Sequence, residues 1–78
     1  MNEQQATRTL SVNVGNNIRR WRHQHSMTQI ELSKRIGLSQ SYFSKIELGQ
    51  KNPNLNTLSK LSKATGITIG ELLNEPSE

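Results

Sequence analysis

Hydrogen-bonding side chains recur at helical spacing in the middle of the chain, at Gln40, Ser41, Ser44 and Lys45. The apolar residues Phe43 and Ile46 interleave with them. If this segment is a helix whose apolar residues face a core, the polar side chains face outward. Amide, hydroxyl and ammonium groups on an exposed helix are the groups that read base edges in the major groove of DNA. The segment is therefore a candidate for contact with DNA bases.

The distribution of charge favours a polyanionic partner. All ten basic residues lie within residues 7–65, where Glu31 and Glu47 are the only acids, so this region has a net charge of +8. When a basic protein binds a polyanion, counterions are released from the polyanion, and this release stabilises the complex. The alternative is that the surplus of Lys and Arg only keeps a small protein soluble.

Other chemistries lack the residues they need. The chain has no cysteine, which excludes disulfides, thiolate metal sites and a thiol nucleophile. It also has no aspartate, and we expect no enzymatic activity and no cofactor. His23 and His25 would point about 200° apart on a helix, so we expect no metal site. Because no apolar run approaches the roughly 20 residues of a membrane span, we expect a cytoplasmic, nucleoid-associated protein.

Local start and stop signals predict the helices that position these side chains. Apolar spacing indicates a first helix from residue 13 to about residue 25. Thr28 and Glu31 form a capping box at the start of a second helix, which Gly37 ends. Ser39 is a good N-cap for a third helix that stops near Gly49. Two short helices joined by about three residues around a glycine are typical of a helix-turn-helix.

The remaining signals complete an all-α domain. Asn54 precedes a fourth helix that Gly66 closes, and Thr68 with Glu71 opens a fifth. We therefore predict a five-helix domain over residues 13–73. Residues 1–12 are predicted to be a flexible N-terminal arm, and residues 74–78 a frayed acidic tail.

With these elements in place, the chain resembles the Cro/C1-type (lambda-repressor-like, XRE family) helix-turn-helix regulators of bacteria and phages. The matching text lies in residues 18–22, 27–32 and 36–47, and continues through Gly49, Lys51, Pro53, Leu58, Leu61, Gly66, Ile67, Glu71 and Leu72. The resemblance implies a transcriptional regulator of the repressor or controller type. Such a protein binds double-stranded DNA at a palindromic operator as a homodimer, with residues 40–47 in the major groove. The alternative is a protein-interaction module of the same fold, such as an antitoxin or adaptor.

Four positions depart from the pattern of that family. Trp21 replaces a smaller aliphatic residue and Phe43 a branched one, which predicts a core repacked around their rings. Ser26 stands where the family usually has Gly, so the end of the first helix is expected to be strained or capped differently. Ser33 stands where a small Ala normally packs, so its hydroxyl needs a backbone acceptor.

The resemblance also assigns roles to individual side chains. Gln40, Ser41, Ser44 and Lys45 would contact bases, and Thr28, Gln29, Tyr42, Lys51 and Asn52 would contact the DNA backbone. For Gln29 the alternative is a solvated glutamine at a helix start. Tyr42 either donates its hydroxyl to a phosphate or covers the core with its ring. For Lys51 and Asn52 the alternative is an ordinary solvated loop.

One buried cation requires a partner. Arg22 lies four residues after Ile18, on the face of the first helix that should be buried. Glu47 lies four residues after Phe43, also towards the interior. A buried guanidinium without a partner is costly, so we predict an ion pair between Arg22 and Glu47 that fixes the third helix, as the family's pattern also implies.

The apolar residues of the fifth helix, Ile69, Leu72 and Leu73, have two interpretations. They either complete the core or remain partly exposed and contact a twofold-related copy. Because such a domain covers only about half an operator, we predict that they form a homodimer interface.

Overall fold

The computed structural model describes residues 2–76, which form five helices and the connections between them. The helices are α1 (Glu3–Gln24), α2 (Gln29–Ile36), α3 (Gln40–Glu47), α4 (Leu55–Thr65) and α5 (Ile69–Leu73). The all-α, five-helix prediction is confirmed. Met1 of the predicted arm and residues 77–78 of the predicted tail lie outside the described residues.

The first helix begins ten residues earlier than predicted, so residues 3–12 are helical and the expectation of a flexible arm there was wrong. A capping box explains the early start. The side chain of Asn2 accepts a hydrogen bond from the backbone N–H of Gln5 at 2.8 Å, and the Gln5 side chain accepts from the backbone N–H of Asn2 at 3.3 Å. Within residues 2–76, neither α1 nor any other helix is long and apolar enough to cross a membrane.

The core lies where all five helices meet. Its buried apolar side chains are Val14, Ile18, Leu32, Ile36, Phe43, Ile46, Leu58, Leu61 and Leu72. Leu72 is fully buried, so its assignment to a dimer interface was wrong: the side chain completes the core. Ile69 and Leu73 pack against this core but are only half-buried. Leu55, the first residue of α4, is 76% exposed and does not extend the apolar face of that helix.

Amide side chains of α1 hold α5 in place. Asn17 donates from Nδ2 to the backbone carbonyls of Leu72 at 3.0 Å and Asn74 at 2.9 Å. Asn13, which is buried, donates from Nδ2 to the carbonyl of Leu73 at 2.9 Å. The carbonyls at the end of a helix have no partner within it, so these bonds satisfy groups that a five-residue helix would otherwise leave unpaired.

The departures from the family pattern at Ser26 and Ser33 have the expected consequences. Ser26 has a φ of 52°, a left-handed conformation that is unusual for a residue with a Cβ. Ser33 is buried, and its hydroxyl donates to the backbone carbonyl of Ile30 at 3.0 Å. The turn after α2 instead uses Gly37, whose φ of 82° is the left-handed conformation of a glycine cap.

Candidate nucleic-acid interface

The turn between α2 and α3 presents α3 at the surface. Ser39 caps α3, because its hydroxyl accepts the backbone N–H of Tyr42 at 3.2 Å. The helix buries its apolar side and Glu47. Its other side carries the residues predicted to contact bases: Gln40, Ser41 and Lys45 are exposed, and Ser44 is half-buried. The exposed face of α3 is therefore polar, carries one basic side chain and is accessible to a large partner.

The predicted ion pair between Arg22 and Glu47 is present and ties α1 to α3. Arg22 donates from Nε to Oε2 of Glu47 at 2.7 Å and from Nη2 to Oε1 at 3.0 Å. Arg22 also donates from Nη1 to the carbonyl of Met27 at 3.0 Å. The Glu47 side chain is 2% exposed. Two-point pairing of this kind fixes the orientation of both side chains.

Gln29 joins the same network from the start of α2. It donates from Nε2 to Oε1 of Glu47 at 2.8 Å and is half-buried, so it is not the freely solvated glutamine of the alternative interpretation. A carboxylate only accepts hydrogen bonds, which fixes the orientation of the Gln29 amide. Sequence analysis did not find this contact, because 18 residues separate the two partners and no local pattern links them.

The backbone of α3 also lies against α1. A Cβ at Gly15 would lie 2.6 Å from the carbonyl oxygen of Glu47 and would collide with that of Ile46. Arg19 donates from Nη1 to the carbonyl of Glu47 at 3.3 Å. Only a glycine permits this approach, and sequence analysis assigned no role to Gly15.

The amino end of α2 is capped and carries an acid in its first turn. The Thr28 hydroxyl accepts from the backbone N–H of Glu31 at 3.1 Å, and the Glu31 carboxylate accepts from the backbone N–H of Thr28 at 2.9 Å. The backbone hydrogen bond from Thr28, followed by its side-chain hydrogen bond, lowers the pKa of Glu31 below its usual value of 4.5.

The remaining predicted backbone contacts lie beside α3. Lys51 and Asn52 are exposed in the connection between α3 and α4, and the side-chain carbonyl of Asn52 accepts a hydrogen bond from the Ser11 hydroxyl. The Tyr42 ring is half-buried and packs against the core, as one of its two interpretations requires. Gln29, Tyr42 and Lys51 thus lie on three consecutive parts of the fold: α2, α3 and the connection between α3 and α4.

The histidines His23 and His25 lie at the carboxyl end of α1 and do not converge on a metal site. His25 stacks on Trp21, with ring centroids 3.9 Å apart, and its Nδ1 lies 2.8 Å from the Trp21 carbonyl oxygen. His23 is exposed on the last turn of α1. Among residues 2–76, no three His, Cys, Asp or Glu side chains are grouped so that they could hold a metal ion.

Comparisons with known proteins point to regulators of transcription. A family model described as Helix-turn-helix matches residues 18–72. The chain is 40% identical over 65 residues to an uncharacterised HTH-type transcriptional regulator, y4dJ, of Sinorhizobium fredii, over 83% of this chain and 84% of that protein.

Two solved structures are similar in fold and sequence. A hypothetical transcription factor, NHTF, from Neisseria superposes with a TM-score of 0.79 and 30% identity, over 86% of this chain and 77% of that one. The restriction-modification controller protein C.AhdI from Aeromonas hydrophila superposes with a TM-score of 0.72 and 34% identity, over 80% of this chain and 94% of that one.

Proposed function

This chain belongs to the helix-turn-helix family of DNA-binding transcriptional regulators, and we propose that it binds one operator sequence specifically, with α3 in the major groove. The observation that carries the proposal is the contrast within α3. Glu47 on its inner side is held by two other helices, while Gln40 and Lys45 on its outer side are exposed. A rigid helix with free polar side chains is suited to reading base edges.

The side chains on the outer face of α3 suit different bases. Gln40, at the start of the helix, can bond adenine at N6 and N7, and Lys45 can donate to guanine O6 and N7. Ser41 and Ser44 donate or accept with any base. With two side chains that discriminate between bases, each domain would specify a few base pairs in its half of the site.

Phosphate contacts would orient α3 in the groove. At the start of α2, Thr28 and Gln29 lie beside free backbone N–H groups that attract anions. Gln29 has a second Nε2 proton to donate, because only one is used by Glu47. Across the groove, Lys51 and Asn52 would hold the other strand, with the Tyr42 hydroxyl as a further donor. Such contacts fix register without reading sequence.

A homodimer would place two copies of α3 on an inverted repeat. Half-sites one helical turn apart, about 34 Å, match the spacing that twofold helix-turn-helix dimers require. Ile69 and Leu73 keep part of their apolar surface exposed next to the core and are the proposed contacts between copies. Occupancy of the operator would then change access to a promoter, as in regulators of the repressor or controller type.

Selection of binding sites from a randomised DNA pool tests this function. We expect an inverted repeat, bound with two protomers per site and at least roughly a thousandfold tighter than random duplex. The Lys51→Ala variant should bind every sequence more weakly by a similar factor, whereas Gln40→Ala should lose discrimination at particular positions.

The alternative function makes the opposite prediction. A protein-interaction module such as an antitoxin or adaptor would enrich no sequence, and its weak binding to DNA would vanish near physiological salt. The exposed residues of α3 are polar and not apolar, which supports DNA over a protein partner.

A further inference from the structure

An open groove separates the first half of α1 from the connection between α3 and α4. Its α1 side is lined by Glu3, Gln5 and Arg8, and its other side by Gln50 and Asn52. The groove has a volume of about 1050 Å³, enough for a sugar–phosphate segment, and its lining is mostly polar. The α1 side precedes residues 18–72, the part of the chain that matches the family model.

A single hydrogen bond determines how Asn52 presents its amide to this groove. Ser11, which is 3% exposed, donates from its hydroxyl to Oδ1 of Asn52. The Ser11 hydroxyl therefore occupies the carbonyl side of the amide, and Nδ2 keeps both of its protons for another acceptor. None of the hydrogen bonds among residues 2–76 uses Nδ2 of Asn52 as donor.

The cationic side chain in the groove is Arg8. Arg8 lies three residues before Ser11, on the same side of α1, and its side chain is exposed. Arg8 and Asn52 line the two sides of the groove, and a guanidinium together with an amide N–H is a donor set that suits a phosphate oxygen. Glu3, the acidic side chain in the lining, is the first residue of α1, five residues before Arg8.

We propose that this groove binds a phosphate of the DNA backbone, held by Arg8 and by Nδ2 of Asn52, with Ser11 as a positioning residue. Lys51 lies between the lining residues Gln50 and Asn52 in the chain, so one DNA strand could contact both Lys51 and the groove. The first half of α1 thereby extends the interface beyond the helix-turn-helix itself. This inference rests on the proposed function, because it requires DNA to be bound along α3.

The salt dependence of DNA binding tests the proposal. Each neutralised phosphate contributes about 0.9 to the slope of log K against log salt concentration. Arg8→Gln should lower the magnitude of that slope by about 0.9 per protomer, and Arg8→Lys should retain it. Lys63→Gln, which removes a cation on α4 outside the groove, is the matched control for the loss of net charge.

Two further variants test the roles of Asn52 and Ser11. Asn52→Asp keeps the acceptor for Ser11 but replaces the donor by a carboxylate, and should weaken DNA binding about tenfold or more without lowering the urea midpoint. Ser11→Ala should weaken binding when Asn52 is present and have no further effect in the Asn52→Ala background. A merely structural role for Ser11 would weaken binding equally in both backgrounds.

The outcomes separate this proposal from the proposed function. If Lys51→Gln lowers the salt slope while Arg8→Gln matches Lys63→Gln, the groove does not bind phosphate and the proposal is overturned, but the regulator function stands. If Arg8→Gln changes only the self-association constant measured by sedimentation, the groove accommodates a second copy, which also overturns it. If the wild-type protein does not bind DNA at all, both proposals fail.

Discussion

The two faces of α3 differ in the contacts that their side chains make. On the inner face, Phe43 and Ile46 are fully buried and Glu47 accepts three hydrogen bonds, from Arg22 and Gln29. On the outer face, the hydrogen bonds found among residues 2–76 involve neither the Gln40 nor the Lys45 side chain. The fold therefore depends on one face, and the other can change without disturbing it. Mutations within the eight residues of α3 should therefore separate effects on the stability of the fold from effects on DNA recognition.

The largest effect should come from breaking the ion pair on the inner face. Glu47→Gln keeps the shape of the side chain but leaves the Arg22 guanidinium without its anion, and we expect a loss of about 3–5 kcal/mol in the free energy of unfolding. Urea denaturation measures this, with the exposed Glu75→Gln as control. Equal urea midpoints for Glu47→Gln and wild type would show that the pair does not hold α3.

The next largest effect tests the close approach of α1 to α3. Gly15→Ala places a methyl group against two backbone carbonyls that cannot rotate away, so we expect a loss of about 1–3 kcal/mol although Ala favours a helix. Gly70→Ala is the matched control, because the nearest atom to its Cβ would be the Thr68 hydroxyl oxygen at 4.0 Å. We expect Gly70→Ala to be neutral or slightly stabilising in the same urea experiment. A more stable Gly15→Ala protein would contradict the packing described for α1 and α3.

Substitutions on the outer face of α3 should leave the stability of the fold unchanged and weaken DNA binding. Gln40 and Lys45 are exposed, and their side chains take part in none of the hydrogen bonds found among residues 2–76, so Gln40→Ala and Lys45→Ala should leave the free energy of unfolding within about 0.5 kcal/mol of wild type. Their binding to the selected operator should weaken by about 1–3 kcal/mol each. A large fall in stability for either variant would mean that the outer face also supports the fold.

The smallest effect concerns the capped starts of α2 and α5, which lie away from the outer face of α3 in sequence. The pKa of Glu31 is lowered in the folded protein, so its stabilisation is complete above about pH 4.5 and is lost as the pH falls through the folded-state pKa. Glu71, whose pKa is lowered by the side-chain and backbone hydrogen bonds of Thr68, contributes with the same sign.

Replacing both acids by Gln isolates this contribution. The variant keeps the capping hydrogen bonds but cannot titrate, so its urea midpoint should fall less than that of wild type between about pH 6 and pH 3. Parallel pH profiles for the two proteins would show that the capping carboxylates do not contribute to acid stability.

Local signals in the sequence were sufficient for four of the five helices. Thr28, Ser39, Asn54 and Thr68 each cap a helix at the predicted position, because an N-cap acts on amides two or three residues away. The start of α1 was missed for a specific reason. Residues 3–12 lack the apolar repeat on which the prediction relied, although Asn2 and Gln5 carried a capping signal.

The site was predictable only in part. The ion pair of Arg22 and Glu47 followed from the cost of burying a charge, which sequence spacing reveals. Contacts between a side chain and a distant backbone left no such signal: Asn17 bonds carbonyls more than 50 residues away, and Gly15 matters only because α3 lies against it. The burial of Leu72 likewise depends on how α5 packs, which its apolar spacing alone left open.

Removing side chains from the outer face of α3 one at a time tests the proposal that this face reads bases. Wild type, Gln40→Ala, Lys45→Ala and Lys51→Ala are each titrated against the selected operator and against operators changed at one base pair. If a side chain reads a base, its Ala variant becomes indifferent to that base pair alone, with a coupling energy of about 1–3 kcal/mol. We predict such coupling for Gln40 and Lys45 at distinct positions in each half-site, and none for Lys51. Uniform weakening across all operators for every variant would contradict the claim.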